Sequence, residues 1–330
     1  MNTTELIPAE IPENLSAASN VIEVKDLTKQ FGDQIVVDQI NFYIPRGSIF
    51  GFIGPSGCGK TTTVRLLTGI YKPTRGEALV LGHAPDQFTQ EEREKIGYMP
   101  QNFVLYPDLT VWENLNFAAS IYGIGLKRGK LLNELLDFVE LQEHKQKLVR
   151  NISGGMMRRL TLAATLVHEP ELLFLDEPTA GIDPVLRRKF WDYFESLREA
   201  GKTLFVTTQY VSEAAYCDMV GVMKDGRLLM VDTPKGLVRR AMGGEVVDLR
   251  SDHRIDYQVL KEMEALPFVL DEVKRVDSTQ VRILVDAADK ALPALVDWCN
   301  DKNIPVESIQ PYLPSFDDVF VALIARDNHE

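Results

Sequence analysis

Eight consecutive residues combine glycines with a lysine and a threonine in a pattern that binds phosphate groups. The pattern is Gly, four residues and then Gly-Lys-Thr, and here it consists of Gly54, Pro55, Ser56, Gly57, Cys58, Gly59, Lys60 and Thr61. Its glycines let the backbone curl so that consecutive N–H groups point inward, and a following helix adds the positive end of its dipole. We expect Lys60 to reach the outer phosphates of a nucleoside triphosphate and the Thr61 hydroxyl to bind Mg²⁺.

The residues on either side of this loop supply the structural context that it needs. Residues 48–53 form an apolar run typical of a buried parallel strand, and residues 62–67 are predicted to begin a helix. Thr62 opens that helix, so we include it among the residues that contact the nucleotide. A strand, a glycine loop and a helix in this order distinguish a phosphate loop from an ordinary glycine turn.

A second apolar run, residues 172–175, ends in two carboxylates, Asp176 and Glu177. Beside a phosphate loop, Asp176 can hold Mg²⁺, usually through water, and Glu177 can act as the base that faces the attacking water. The alternative is a surface acid pair that closes a strand. The phosphate loop upstream makes the catalytic interpretation the better one.

Two glutamines and an aspartate lie where predicted strands end or a helix begins. Gln101 follows a predicted strand, where ligands of open parallel sheets gather, and its amide can ligate Mg²⁺ or orient a water. Gln209 follows the strand predicted for residues 203–208. Asp183 precedes a predicted helix, and its side chain can either cap that helix or reach across an interface.

Two further stretches could contact a nucleotide. Ser153 is a good N-cap, and Gly154 and Gly155 leave the backbone N–H groups of that helix open to a phosphate. This signal is weak by itself, because capped helices are common. Phe31 precedes Gly32 in a predicted loop, and its ring either stacks on an adenine or packs in the core under a turn.

Length and composition limit the class of protein. The 330 residues, 45% of them hydrophobic, suffice for two domains with their own cores. The net charge of −12 argues against a nucleic-acid partner bound through a broad basic face. Three widely spaced cysteines suit a reducing cytosol and argue against disulfides or structural zinc. No segment approaches the roughly 20 apolar residues that cross a bilayer, so we expect another chain to supply any membrane part.

The order of predicted elements indicates an α/β protein with a helical insertion. Residues 1–20 resemble a flexible leader, and strand patterns begin at Val21. Helical periodicity over residues 102–170 predicts a helical subdomain inserted in a domain that spans 21–243. Residues 244–330 predict a small α+β domain with the β-α-β-β-α-β order of a ferredoxin-like unit. Its default role is structural or a dimer contact, and ligand sensing is the alternative.

Together and in this order, the motifs of residues 21–240 resemble the ATP-binding subunit of an ABC transporter. The resemblance implies a P-loop NTPase fold of the ABC type, with ATP and Mg²⁺ as cofactors. Its Walker A loop is 54–61, its signature 152–156, its Walker B strand 172–177 and its D-loop 180–184. Gln101 takes the Q-loop position, and Phe31 falls where the family places its adenine-stacking aromatic.

The same resemblance implies a mechanism. Two copies face each other head to tail, and Ser153 and Gly155 of one copy contact the γ-phosphate held by the other. Asp183, in the D-loop, lies at this contact. ATP joins the copies and its hydrolysis, with Glu177 as the catalytic glutamate, loosens them. The loop after Gln101 passes the motion to a membrane permease, which places the chain at the inner face of the cell membrane, on the cytoplasmic side.

Two positions depart from the family pattern. Met156 stands in the signature where glutamine is usual, and Gln209 stands where a switch histidine is usual. Glutamine can bond a γ-phosphate oxygen but cannot carry a proton. Met156, residues 207–210 and residues 314–320 are similar to drug-resistance exporters of the daunorubicin type, so we interpret both departures as subgroup features.

These features predict the ATPase subunit of an ABC-2 type exporter. One alternative is a soluble ABC ATPase, although the chain has one cassette and no long coiled-coil insert. Another is a nucleotide-gated regulator, which the missing histidine suggests. An importer subunit is a third, disfavoured by resemblance alone.

Overall fold

The computed structural model describes residues 20–125, 127–271 and 273–327. The chain divides into two compact units that meet between Thr233 and Pro234. The leader predicted for 1–20 lies outside the described residues except for Asn20, which begins the first strand.

A three-stranded antiparallel sheet opens the first unit. Strands β1 (Asn20–Phe31) and β2 (Gln34–Pro45) form a long hairpin, and β4 (Arg75–Val80) pairs with the other edge of β1. Apolar residues of both strands, among them Ile22, Val24, Ile40, Phe42 and Ile44, are buried in the core of this unit. Both strands have twelve residues, and Phe31 ends β1 instead of lying in the loop predicted for it.

The second sheet of this unit has the order β5-β6-β7-β3-β8-β9. Its strands are β3 (Ile49–Ile53), β5 (Ile96–Met99), β6 (Leu172–Asp176), β7 (Thr203–Thr208), β8 (Met219–Lys224) and β9 (Arg227–Asp232). The first five in this order run parallel, and β9 runs antiparallel to β8. Every residue of β3, β6 and β7 is buried, which explains their continuous apolar sequences. Their carboxyl ends meet at one edge of the sheet, where the site lies.

In the described part of this unit, six α-helices accompany the sheets. They are α1 (Lys60–Leu67), α2 (Gln90–Glu94), α3 (Val111–Ile121), α4 (Gly129–Phe138), α5 (Gly154–Leu166) and α6 (Pro184–Glu199). Helices α3, α4 and α5 lie between β5 and β6, as the predicted helical insertion requires. Thr110 caps α3 in a reciprocal pair with Glu113, the local reason that this helix begins where it does.

The second unit is an α+β domain built on an antiparallel sheet of order β11-β12-β10-β13. Its elements are α7 (Pro234–Met242), β10 (Glu245–Ser251), α8 (Tyr257–Glu264), β11 (Lys274–Arg275), β12 (Gln280–Val285), α9 (Ala288–Asp301), β13 (Val306–Tyr312) and α10 (Phe316–Asp327). After α7 they follow the predicted ferredoxin-like order. The second strand of this order, β11, has only two residues, and Val269 before it forms an isolated bridge to Val285.

The structure places the unit boundary ten residues before the predicted one at 243/244. Helix α7 was not predicted, and it packs against α10, which lies in the second unit. That contact joins residues far apart in sequence, so no local pattern reveals it. Among the helices of the described residues, none combines the length and apolar character that a bilayer crossing requires.

Candidate active site

The phosphate-loop residues 54–61 connect β3 to α1, and glycine is required at two of them. Gly59 precedes α1 with a left-handed φ of 112°, and a Cβ there would lie 2.6 Å from the Val36 carbonyl oxygen. A Cβ on Gly54 would lie 2.2 Å from the carbonyl oxygen of Met223. Neighbouring backbone therefore fixes the loop in a curled form whose N–H groups can surround an anion.

The Lys60 side chain lies under this loop and is only 4% exposed. Its ammonium donates to the carbonyl oxygens of Gly54 at 2.8 Å and Pro55 at 3.0 Å, and lies 3.8 Å from Oε1 of Glu177. Phosphate oxygens held by the loop would meet the same ammonium. Burial raises the pKa of the neighbouring Cys58 thiol, and the Lys60 charge opposes that rise.

Asp176 joins the carboxyl end of β6 to the loop. Its Oδ1 accepts hydrogen bonds from the hydroxyls of Thr61 at 3.1 Å and Thr207 at 2.6 Å. Its Oδ2 is buried and makes no hydrogen bond to any described residue. Thr207 lies on β7, the strand next to β6, so its hydroxyl reaches Asp176 from the neighbouring strand.

These groups fit Mg²⁺. Within the described residues, no cluster of three or more His, Cys, Asp or Glu side chains could hold a metal alone. Mg²⁺ instead takes one or two carboxylates together with waters and substrate phosphates. The unpaired oxygen of Asp176 and the hydroxyl of Thr61 suit such a shared site.

Replacing Asp176 by asparagine should raise the Mg²⁺ concentration that gives half-maximal ATP hydrolysis by about tenfold or more. The amide keeps the contact with the two threonine hydroxyls but offers no anionic oxygen to the ion or its waters. A Mg²⁺ titration of the hydrolysis rate measures the shift. Asp192→Asn on the exposed surface of α6 is the control. An unchanged requirement in the Asp176 variant would place the ion elsewhere.

Glu177 has a strained backbone and a buried carboxylate. Its φ of 49° is left-handed, which costs a non-glycine residue about 1–3 kcal/mol. Its N–H donates to the carbonyl and the hydroxyl oxygen of Thr207, which holds this conformation. Its Oε2 accepts a hydrogen bond from Nε2 of Gln101 at 2.7 Å. The carboxylate therefore lies between the Lys60 ammonium and the Gln101 amide.

Gln101 contacts Glu177, and the role predicted for it as a Mg²⁺ ligand stays a prediction. The backbone carbonyl oxygen of Gln101 accepts a hydrogen bond from Nη1 of Arg158 at 2.8 Å. Nη2 of Arg158 donates to the backbone carbonyl oxygen of Ala180 at 3.3 Å. Burial lowers the pKa of Arg158, and the Glu177 charge opposes that effect. The sequence analysis did not identify Arg158, which joins the Q-loop to the D-loop through the signature helix α5.

Gln209 also lies at this edge of the sheet. Its Oε1 accepts a hydrogen bond from the Ser56 hydroxyl at 2.8 Å. Both side chains are exposed. The structure therefore brings the switch position to the phosphate loop itself.

The signature residues line a separate cleft of about 450 Å³. Ser153 caps α5 by accepting from the Met156 N–H at 3.2 Å. Asp183 caps α6 by accepting from the N–H groups of Val185 and Leu186, so the capping alternative is confirmed. Gly155 and Ser153 line this cleft but none of residues 54–61 does. The lining of this cleft therefore includes the signature and the D-loop but not the phosphate loop.

Phe31 ends β1 with 43% of its surface exposed, so the alternative that it is a core residue is wrong. Its ring packs edge-on against Tyr71 at 5.3 Å, and the Lys29 ammonium lies 4.9 Å from the ring centre. The stacking of adenine on Phe31 stays a prediction.

A family model described as ABC transporter matches residues 37–180. The chain is 32% identical over 310 residues to the linearmycin resistance ATP-binding protein LnrL of Bacillus subtilis. That alignment covers 93% of this chain and 99% of LnrL. It is 36% identical over 247 residues to the Nod factor export ATP-binding protein I of Cupriavidus pinatubonensis, 74% of this chain and 75% of that one. Identity to YbhF of Escherichia coli, named a probable multidrug ABC transporter ATP-binding protein, is 42% over 229 residues. That match covers 69% of this chain but 40% of YbhF, so the chain spans less than half of that relative.

Solved structures agree with these relatives. An ATP-binding subunit of an ABC transporter aligns with a TM-score of 0.61 at 28% identity, over 68% of this chain and 93% of that one. The ATP-binding cassette MJ0796, solved as a dimer in a post-hydrolysis state with ADP and phosphate, aligns with a TM-score of 0.59 at 27% identity. That alignment covers 64% of this chain and 98% of the cassette.

Proposed function

The chain belongs to the ABC transporter family as an ATP-binding protein with ATPase activity, and from this premise we propose that it drives export through a separate ABC-2 type permease. The observation that carries the proposal is the convergence of Lys60, Glu177 and Gln101 at one edge of the sheet. The resistance and export names of the relatives support the direction of transport.

The geometry supports a direct attack of water on the γ-phosphate. Glu177 takes a proton as the water oxygen bonds to phosphorus, the bond to the ADP oxygen breaks, and ADP and phosphate leave. Lys60 offsets the charge on the phosphate oxygens, and Gln101 holds the Glu177 carboxylate in place. Asp176 and Thr61 would hold Mg²⁺, which would supply positive charge against the charge that develops on the phosphate.

Two copies of the chain complete the site. The signature cleft holds no residue of the phosphate loop, which supports a contact between Ser153 and a nucleotide bound by the second copy. The dimer of the MJ0796 cassette with ADP and phosphate supports this arrangement. ATP then joins two copies, and hydrolysis releases them.

Replacing Ser153 by arginine tests the shared site. The bulky cation should block the approach of the second copy, so that kcat falls by about a hundredfold while one chain still binds ATP. Phosphate release and equilibrium ATP binding measure the two effects, with Ser196→Arg on the exposed face of α6 as control. Wild-type turnover in the Ser153 variant would contradict hydrolysis at a shared interface.

Gln209→Ala should lower kcat about tenfold and change KM for ATP less than about threefold. The Gln209 amide contacts the loop through Ser56 and can bond a γ-phosphate oxygen whose charge grows in the transition state. Steady-state kinetics measure the split between kcat and KM. Gln209→His should keep turnover but make its rate depend on pH in the range where the imidazole titrates. An unchanged rate in the alanine variant would mean that the switch position is idle.

The surface after Gln101 fits a membrane partner. Exposed apolar side chains follow it in the loop and on α3: Phe103, Val104, Tyr106, Phe117 and Ile121. The rings of Tyr106 and Phe117 contact each other at 4.8 Å. We assign this group of exposed apolar side chains to the contact with the permease at the inner face of the cell membrane. A coding region next to this one should therefore encode a six-span membrane protein, and its absence there would count against the assignment.

A further inference from the structure

A buried carboxylate lies behind the end of β7, outside the residues assigned to the nucleotide. Glu213 belongs to the short 3₁₀ turn Val211–Tyr216 and is 1% exposed. Three elements surround it: Thr208 ends β7, Thr179 follows Glu177 in the loop after β6, and α6 contributes Arg187 and Trp191.

Donors from all three elements face this carboxylate. The Arg187 Nε lies 3.6 Å from Oε1 of Glu213, just beyond hydrogen-bond distance. The Thr179 hydroxyl and the Trp191 indole N–H also face the carboxylate from outside hydrogen-bond distance, and neither they nor the Glu213 oxygens have another partner among the described residues. Burial raises the pKa of Glu213, and the hydroxyls of Thr208 and Thr179, the Trp191 indole and the Arg187 charge oppose the rise. A carboxylate in this setting is costly to bury. An apolar side chain of similar size would fill the same space without that cost.

The residues around Glu213 also hold the catalytic segments. The Glu213 N–H donates to the carbonyl of Tyr210, and the Tyr210 N–H donates to the Thr208 hydroxyl. The Arg187 guanidinium lies 3.9 Å from the centre of the Tyr210 ring. Gln209 lies between Thr208 and Tyr210 in the chain, so these contacts set where its side chain points.

The other side of the cluster leads to Glu177 and Asp183. Thr179 follows Glu177 by two residues, and the Ala180 N–H donates to the Glu177 carbonyl at 3.1 Å. The Arg187 N–H donates to the Asp183 carbonyl at 2.9 Å. One side chain therefore lies between the switch segment and the loop that runs from the catalytic glutamate to the D-loop.

We propose that Glu213 is a positioning residue for ATP hydrolysis, whose carboxylate links the segment that carries Gln209 to the loop that carries Glu177 and Asp183. Through this link the two segments reach the triphosphate together. The inference rests on the function proposed above for Gln209.

Matched substitutions separate this role from simple packing. Glu213→Leu keeps the bulk but removes the acceptor, so kcat should fall about tenfold to a hundredfold with KM within about threefold. Glu213→Gln keeps an acceptor for the threonine and indole donors and should hold kcat within about threefold of wild type. Glu199→Leu on the exposed surface of α6 is the control. A folded leucine variant with wild-type kcat, or one altered only in KM, would overturn the proposal.

Thr179→Val keeps the experiment decisive if the leucine variant does not fold. It is nearly isosteric, removes one donor and should lower kcat severalfold, whereas wild-type kcat in the folded variant would overturn the link. In the Gln209→Ala background, Glu213→Leu should cost little further rate, because the group it positions is gone. Fully additive losses would indicate independent damage and overturn the proposal. An inactive wild type would overturn the proposed function as well, while an active wild type with an unaffected leucine variant overturns this inference alone.

Discussion

Glu177→Gln should lower kcat for ATP hydrolysis by about 10³-fold and leave ATP bound. The glutamine amide has nearly the same size, and its oxygen can still accept the hydrogen bond from Gln101. It cannot take the proton of the attacking water, so the chemical step loses its base. Binding persists because Lys60 and the loop N–H groups, not Glu177, hold the phosphates.

Phosphate release in the steady state measures the lost turnover, and light scattering measures the mass of the ATP-bound species. We expect the variant to accumulate as a dimer when ATP is added, because hydrolysis is the step that separates the copies. Glu171→Gln is a matched control, since Glu171 is a half-exposed acid paired with Arg46 near the start of β6. Wild-type turnover in the Glu177 variant would falsify its assignment as the base.

Lys60→Ala should weaken ATP binding by about 10²-fold, which corresponds to about 3 kcal/mol. The ammonium is buried under the loop, so its charge acts in a medium that screens it poorly. Its removal leaves the phosphates without their central cation and leaves the Glu177 carboxylate without the cation 3.8 Å away. Both effects weaken the binding of a triphosphate.

Calorimetric titration with ATP measures the loss in the Lys60 variant. Lys60→Arg is the matched comparison, because it keeps the charge but not the compact ammonium. Lys72→Ala, whose side chain is 77% exposed, controls for the change in net charge. Equal affinity in wild type and the Lys60→Ala variant would exclude this loop as the phosphate site.

The buried strands and the loop between them could be predicted because their signals are local. Strand β3 reads as an unbroken apolar run, and its prediction over 48–53 differs from the structure by one residue. The same holds for β6 and β7, where burial on both faces removes polar residues. The glycine spacing then places Lys60 at the start of α1, one loop after β3, without knowledge of any distant contact.

Arg158 and Glu213 could not be predicted because their contacts are not local. Sequence periodicity assigns one apolar face to α5, but the helix is buried on several sides, and Arg158 packs away from that face. Glu213 is an acid in a short turn, which resembles a solvated loop until β7, α6 and the loop after β6 close around it. Helix α7 was missed for the same reason, since its partner α10 lies about eighty residues further along the chain.

The left-handed backbone at Glu177 lowers stability, while the glutamate side chain serves turnover, so selection for heat resistance and selection for turnover favour different residues at this position. Glycine and asparagine adopt a left-handed φ more easily than glutamate, so either would relax the strain that Thr207 now holds. Evolution under thermal pressure alone would drift towards these residues and discard the reaction. A continuing need for the chemistry would retain glutamate at this unfavourable position.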